Sequence, residues 1–430
     1  DAPTGHVSVD VVSEAGDSVV SLHLPAGSAV EAVKRGIQAT RSLPFFSQEL
    51  RHGSCVLDDA CALSALPTPL LLTLVRLPLC PGQGERLLEA ARLGEVRAAE
   101  RCLRARADVD HAGVAGRTPM YVASRNGHLE LVRLLHRAGA DINKAAHAGA
   151  SPSFAAAHCG HLGVVRFLSR ARADMERVTQ EGASPLHAAC QKGHTEVALF
   201  LCSLGVDQAR RMQGGWDPLL IASLNGHSGV VKLLCAAGLD IETSTQEGVT
   251  PMLAAAQNGH LDVARLLRAA GADIERIRHD GSSPLMVAAH SGHTDVVRFL
   301  CEAGVALDAP AQHGVTALFI AAKNGHANVV RVLCAMMADV DRDNEKGATP
   351  LCIAAQRGHT EVVRALCEAK ANTDQATKAG VTPLFVAAQG GHLTVVKYLC
   401  CLGANKECEE KQRGATAIYV AAQNGHAEIV

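Results

Sequence analysis

Ten histidines in this 430-residue chain follow a glycine in one repeating register. Imidazole is the side chain best suited to proton transfer and metal ligation near neutral pH. They are His128, His161, His194, His227, His260, His293, His326, His359, His392 and His426; eight successive intervals are 33 residues and the last is 34. A catalytic or metal-binding histidine acts at one converging site and has no reason to recur ten times in register, so the set reads as structural. Six cysteines, Cys202, Cys235, Cys301, Cys334, Cys367 and Cys400, also share one register, with Arg268 filling the gap. Packed helices lie about 8 to 10 Å apart, whereas a disulfide needs Cα atoms within about 6.8 Å, so the row predicts free thiols buried in a core. Free thiols in such number fit a reducing compartment, the cytoplasm or nucleus. Cys-x-x-Cys, Gly-x-Ser-x-Gly, His-Glu-x-x-His, kinase and phosphate-loop patterns are all absent. Gly82-x-Gly84 has the opening of a dinucleotide loop, but Leu87 stands where the third glycine belongs, and the segment reads as a linker. The chain therefore predicts no catalytic residue, no metal ligand and no cofactor.

The elements that carry these residues follow from a second motif ten residues before each histidine. Thr118-Pro119, Ser151-Pro152, Ser184-Pro185, Asp217-Pro218, Thr250-Pro251, Ser283-Pro284, Thr316-Ala317, Thr349-Pro350, Thr382-Pro383 and Thr416-Ala417 each combine a capping oxygen with a helix-compatible second residue. A short helix must start there, run through small pairs such as Ala254-Ala255 or Ala354-Ala355, and stop at the glycine before the histidine. A second helix carries Val-Val-x-x-Leu, as in Val164, Val165 and Leu168 or Val296, Val297 and Leu300, which places all three on one face. Gly271-Ala272-Asp273-Ile274-Glu275 and the polar residues up to Gly281 then read as an extended turn. One unit is helix, turn, helix and finger.

Thr-Pro-Leu-x-x-Ala-Ala, Gly-His and Ala-Gly-Ala-Asp at this period resemble the ankyrin repeat, from about Gly84 to Val430. The family's histidine after Thr-Pro-Leu survives only as His187; Tyr121, Phe154, Leu220, Leu253, Met286, Phe319, Cys352, Phe385 and Tyr419 hold that place elsewhere. Apolar packing is expected to replace its capping bonds. Glu85 to Asp110 keeps the apolar pattern behind Arg86, Glu89, Arg92, Arg97, Glu100 and Arg104, as a charged capping repeat would. The last repeat is truncated at Val430, before a second helix could complete its apolar face, which predicts further sequence.

Before Pro81 the period is absent. Val7, Val9 and Val11 alternate, as do Val20, Leu22 and Leu24 after a Gly16-Asp17 turn, and Val30, Val33 and Ile37 take helical spacing. Apolar pieces around Leu50, Leu57 and Leu63 lead to a central strand over Leu70 to Leu77. This ββαββ order resembles a β-grasp domain. Val33-Lys34, Leu43-Pro44 and Leu57-Asp58-Asp59 make it similar to ubiquitin. Arg51 stands where ubiquitin exposes its receptor-binding isoleucine, and the chain runs on through Leu77-Pro78 without a diglycine, so neither conjugation nor ubiquitin-style receptor binding is expected. The expected architecture is mainly α: a ubiquitin-like β-grasp domain over 1–80, a capping repeat over 81–110, and an α-solenoid of about ten ankyrin repeats over 111–430.

Lys and Arg total 41 against 43 Asp and Glu, a net charge of -2, so the chain as a whole offers no field to nucleic acid or a membrane surface. No apolar run approaches the roughly 18 to 20 residues of a membrane span. Hydrophobic content of 48% with 20% charge excludes a wholly disordered chain. The ankyrin resemblance implies protein partners gripped by a concave groove of first helices and fingers. Arg177, Arg210, Arg211, Arg276, Arg278 and Arg342 on fingers, and Arg125, Lys192, Lys323 and Arg357 on first helices, are the candidate contacts. Trp216, the only tryptophan, joins them because tryptophan is enriched at binding hot spots. The expected function is a monomeric, non-catalytic scaffold or adaptor. The alternative is a regulatory or substrate-recruiting region of a larger enzyme, in ubiquitin or signalling pathways. The resemblance also implies asparaginyl hydroxylation at Asn143, which ends Ala140-Asp141-Ile142-Asn143.

Overall fold

The structure, a computed structural model, describes residues 6–13, 17–25, 28–41, 48–52, 55–66, 70–76 and 79–430. Gly16, Leu43-Pro44 and Leu77-Pro78, singled out above, lie outside the described residues. The chain divides into two compact units, Asp1–Gln208 and Ala209–Val430.

The first unit opens with β1 (His6–Ser13), β2 (Ser18–Pro25), α1 (Val30–Arg41), β3 (Gln48–His52), β4 (Cys55–Val56) and β5 (Leu70–Arg76). The five strands form one mixed sheet in the order β2-β1-β5-β3-β4. β5 runs parallel to β1 and antiparallel to β3, so the apolar run read as a central strand is central. This arrangement is compatible with a β-grasp. The short β4 and a 3-10 turn at Leu63–Ala65 are additions to the expected ββαββ order. Val9, Val11, Val30, Val33, Ile37, Leu50 and Leu72 make a fully buried core between the sheet and α1. Lys34 on α1 meets Asp59 at 2.6 Å, tying the helix to the turn before β5.

Helix pairs fill the rest of this unit: α2 (Gln83–Leu93) with α3 (Val96–Arg104), α4 (Pro119–Arg125) with α5 (Leu129–Arg137), α6 (Pro152–His158) with α7 (Leu162–Arg170), and α8 (Pro185–Lys192) with α9 (Thr195–Ser203). The second unit continues with α10 (Pro218–Leu224), α11 (Ser228–Ala236), α12 (Pro251–Gln257), α13 (Leu261–Ala269), α14 (Pro284–Ser291), α15 (Thr294–Glu302) and α16 (Ala317–Asn324). It closes with α17 (Ala327–Ala335), α18 (Pro350–Arg357), α19 (Thr360–Glu368), α20 (Pro383–Gln389), α21 (Leu393–Cys401) and α22 (Ala417–Gln423). Even-numbered helices are the first of each repeat and odd-numbered ones the second.

Every capping residue predicted above accepts a hydrogen bond from the backbone three positions on, for example Thr250 Oγ1 from Leu253 N–H at 3.3 Å. Thr316 and Thr416 do this without a following proline, so the hydroxyl suffices to start the helix. His187 alone completes a reciprocal capping box, with Ser184. Elsewhere its position is filled by packing as expected: Leu220, Leu253, Met286, Phe319, Cys352 and Phe385 are buried, whereas Tyr419 is exposed. On the second helices Val-Val-x-x-Leu is buried almost completely, each side chain contributing about 1.5 to 3 kcal/mol. From α4 onward the first helices, at 7 or 8 residues, are well under the roughly 12 to 15 residues at which an isolated helix becomes marginal, so stacking on neighbours is what keeps them folded.

Candidate partner-binding surface

The repeating histidines are part of the stack within each unit. Within the two units nine of them donate Nε2–H to a first-helix carbonyl of the preceding repeat; His161 reaches Arg125 O at 2.9 Å, His293 reaches Gln257 O at 3.0 Å and His359 reaches Lys323 O at 3.1 Å. Those carbonyls sit in the last helical turn, where the helix itself supplies no donor. The glycine before the histidine is required twice over in repeats such as those of Gly127, Gly259 and Gly358, whereas at Gly425 only the positive φ asks for it. Gly259 has φ +75°, and a Cβ there would lie 2.5 Å from the His293 ring. Gly84, the second glycine of the linker pattern, similarly leaves room for His111, where a Cβ would come within 2.4 Å of the ring.

A second row of bonds joins the bases of the fingers, and sequence reasoning missed it. Asp110, Asn143, Glu176, Glu242, Glu275, Asp308, Asp341 and Asp374 each accept the backbone N–H of the residue 31 positions on, at 2.7 to 3.2 Å. The signal was present: an oxygen-bearing side chain stands fifteen residues after each Gly-His histidine, interrupted by Ala209. Asn143 belongs to this row, its Oδ1 accepting from Asp174 N–H at 2.9 Å. Burial pushes the Asp110 carboxyl above its ordinary range, against the pull of the Asp141 N–H and Lys144.

The cysteine row is a correction to the sequence reading. Cys202, Cys235, Cys301, Cys334, Cys367 and Cys400 are free but only half-buried. Each follows a fully buried leucine, such as Leu300 or Leu333, by one residue, and that step of about 100° carries it from the core to the flank of the helix. Desolvation still raises the thiols of Cys301, Cys334 and Cys367 to about 11.

The candidate contact residues divide into two groups. Arg211 donates to Thr243 Oγ1 at 2.8 Å and Ser244 O at 3.3 Å, and Arg276 pairs with Glu242 at 3.2 Å. Arg278 binds Asp280, whose carboxyl it holds well below the usual carboxylate range. Arg210 is half-buried, and so is Trp216, which precedes the capping Asp217 and lies beside Gly214. These residues brace the fingers. Arg125, Arg177, Lys192, Lys323, Arg342 and Arg357 are exposed, and no carboxylate among the described residues pairs with them. The structure thus engages Arg211 and Arg276 in repeat-to-repeat bonds and Arg278 within its own finger, half-buries Arg210 and Trp216, and leaves the other group facing solvent. Among the described residues no three His, Cys, Asp or Glu side chains come together as a metal site, and no helix is long and apolar enough to cross a membrane.

With this geometry in place, the comparisons with known proteins are specific. Family models described as ankyrin repeats match residues 133–410 in five overlapping segments, and a single ankyrin repeat matches residues 115–147. The chain belongs to the ankyrin-repeat family. No curated protein matches it in sequence.

Proposed function

We propose that this chain is a non-catalytic scaffold or adaptor that recognises partner proteins through the exposed faces of its first helices and its finger tips. In this reading residues 1–80 are a ubiquitin-like β-grasp domain, 81–110 a capping repeat and 111–430 the recognition array. Ankyrin repeats are generally protein–protein interaction modules, and the family is typically non-catalytic. The observation that carries the proposal is the division of polar side chains. Histidines, caps and finger-base oxygens are spent on the stack, while Arg125, Arg177, Lys192, Lys323, Arg342 and Arg357 vary between repeats and face solvent. A face held rigid by its own framework loses little entropy on binding, which favours recognition by many modest contacts. The free thiols support a cytoplasmic or nuclear location.

The test is affinity capture from cell extract by the full chain and by a variant with Arg177, Lys323, Arg342 and Arg357 reversed in charge. Proteins crosslinked to these faces in the first sample and lost from the second support the scaffold. An identical set of captured proteins sinks it. Asn143 is further proposed as a substrate for an external oxygen-using hydroxylase, since modification at its β-carbon leaves Oδ1 free to keep the Asp174 bond. Peptide mass analysis after expression in normal oxygen should show one added oxygen atom there, and its absence counts against the proposal.

A further inference from the structure

None of the first helices from α4 to α22 contains an Asp or Glu; every formal charge on them is positive. The dipole at a helix C-terminus disfavours acids at the exposed last turn, but it is equally compatible with neutral amides, as at Gln257 and Asn258. What the dipole leaves unexplained is the run across α4, α6 and α8, where consecutive repeats offer Arg125, His158 and Lys192. α6 packs against both α4 and α8. His158 is pushed below its ordinary range first by burial and then by Lys192, Arg125 and His194, so every charged group acting on it is cationic. Both acids on the preceding first helix are engaged elsewhere, Glu89 by Arg92 Nε and Nη2 and Glu85 by His111 at 3.1 Å. Beside this cationic run lies an apolar step. Phe154 stacks on His158 with ring centroids 6.2 Å apart, and Phe154 and Val122, both partly exposed, pack against Tyr121 and Ala155.

Resting on the protein-recognition reading above, we propose that the α4–α6–α8 face is a docking site for an acidic peptide segment of a partner protein, with an apolar side chain seated on Phe154 and Val122 and flanking carboxylates at Arg125 and Lys192. Charge complementarity selects the occupant: a cationic face with no carboxylate of its own rewards an acidic ligand and repels a basic one. The aromatic step adds the apolar contact that charge alone lacks, and it distinguishes the site from a purely electrostatic patch. Nucleic acid is disfavoured because the two cations Arg125 and Lys192, on a chain of net charge -2, give little counterion release.

The experiment measures binding of the full chain to short fluorescein-labelled synthetic peptides that are acidic, neutral or basic, each with and without a central Leu-Phe, and to single-stranded oligothymidylate. The expected result is preference for the acidic peptide with the apolar centre, weakening as salt is raised. Arg125→Glu with Lys192→Glu should then lose at least about tenfold in affinity, about 1.4 kcal/mol. The milder pair Arg125→Gln with Lys192→Gln should lose less, and circular dichroism should show the array intact. Lys232→Glu with Arg298→Glu, on second helices, should leave affinity unchanged. Preference for neutral or basic peptides, tighter binding to the oligonucleotide, or equal affinity in the reversed variant overturns the proposal. If neutral or basic peptides bind and crosslink to other first helices or fingers, the recognition reading survives without it; if no peptide binds, the site proposal falls, and the capture experiment still decides that broader reading.

Discussion

Gly259 and His293 stand in different repeats, yet each is required by the other. Replacing Gly259 with alanine forces a side chain into the left-handed region, at about 1 to 2 kcal/mol, and displaces the imidazole that satisfies Gln257 O, at about 1 to 3 kcal/mol. Urea denaturation of Gly259→Ala should therefore show a loss of about 2 to 5 kcal/mol. In a His293→Ala background the same change should cost clearly less, and equal costs in both backgrounds would disprove the coupling. Met337 is the opposite case: it occupies, at φ +69°, a position where other repeats place Gly271 or Gly304, and it is 86% exposed. Because it packs on little, Met337→Gly should raise stability by about 0.5 to 1 kcal/mol, the left-handed strain outweighing the entropy of glycine. The thiols offer a chemical reading of burial. With Cys301, Cys334 and Cys367 raised to about 11, their thiolate fraction at pH 8 is about a thousandth. Iodoacetamide at that pH should modify exposed Cys55, Cys80 and Cys401 first, and Cys301, Cys334 and Cys367 should react appreciably only as pH approaches 11.

At the scale of the element, the finger bases behave as one device with interchangeable oxygens. Asp110 is raised by burial, so its charge opposes folding: the unfolded chain ionises first, and stability falls as pH rises through the folded-state value. An amide keeps the acceptor without the charge, as Asn143 already does for Asp174. Asp110→Asn should accordingly raise the thermal midpoint at pH 7, and the advantage should vanish in acid, where the carboxyl is already neutral. A midpoint lowered at pH 7 would show that the charge itself holds Asp141. The helices themselves were legible from sequence because caps and stop signals act within three or four residues. The cap oxygens of Thr118, Ser151 and Asp217 were placed correctly for that reason. The finger row was missed because its two halves stand 31 residues apart and only the stack brings them together.

Across the whole molecule, stability is passed between neighbours, since short helices stand only by packing on the next pair. Second helices add to this with Arg133 over Phe167 at 5.9 Å and Arg364 over Tyr398 at 5.7 Å, contacts worth about 0.5 to 1 kcal/mol each when exposed. Hydrogen exchange on Gly259→Ala should lose protection in α12 to α15 and leave β1 to β5 as in the parent chain. Faster exchange spread evenly over all helices and the sheet would contradict nearest-neighbour coupling. The 33-residue register, the helix starts, the glycine stops and the five buried strand and helix positions Val9, Val11, Val33, Ile37 and Leu72 were set by the sequence alone. Positive φ, N-capping and apolar alternation are properties of a residue and its near neighbours, so no distant partner is needed to read them. Only the tertiary structure decided which polar side chains remain for a partner. Arg211 and Arg276 are drawn into bonds with neighbouring fingers and Arg278 into one within its own, the cysteines turn to the helix flank, and Arg125 and Lys192 flank His158. Each outcome depends on distances across the stack that no local pattern encodes.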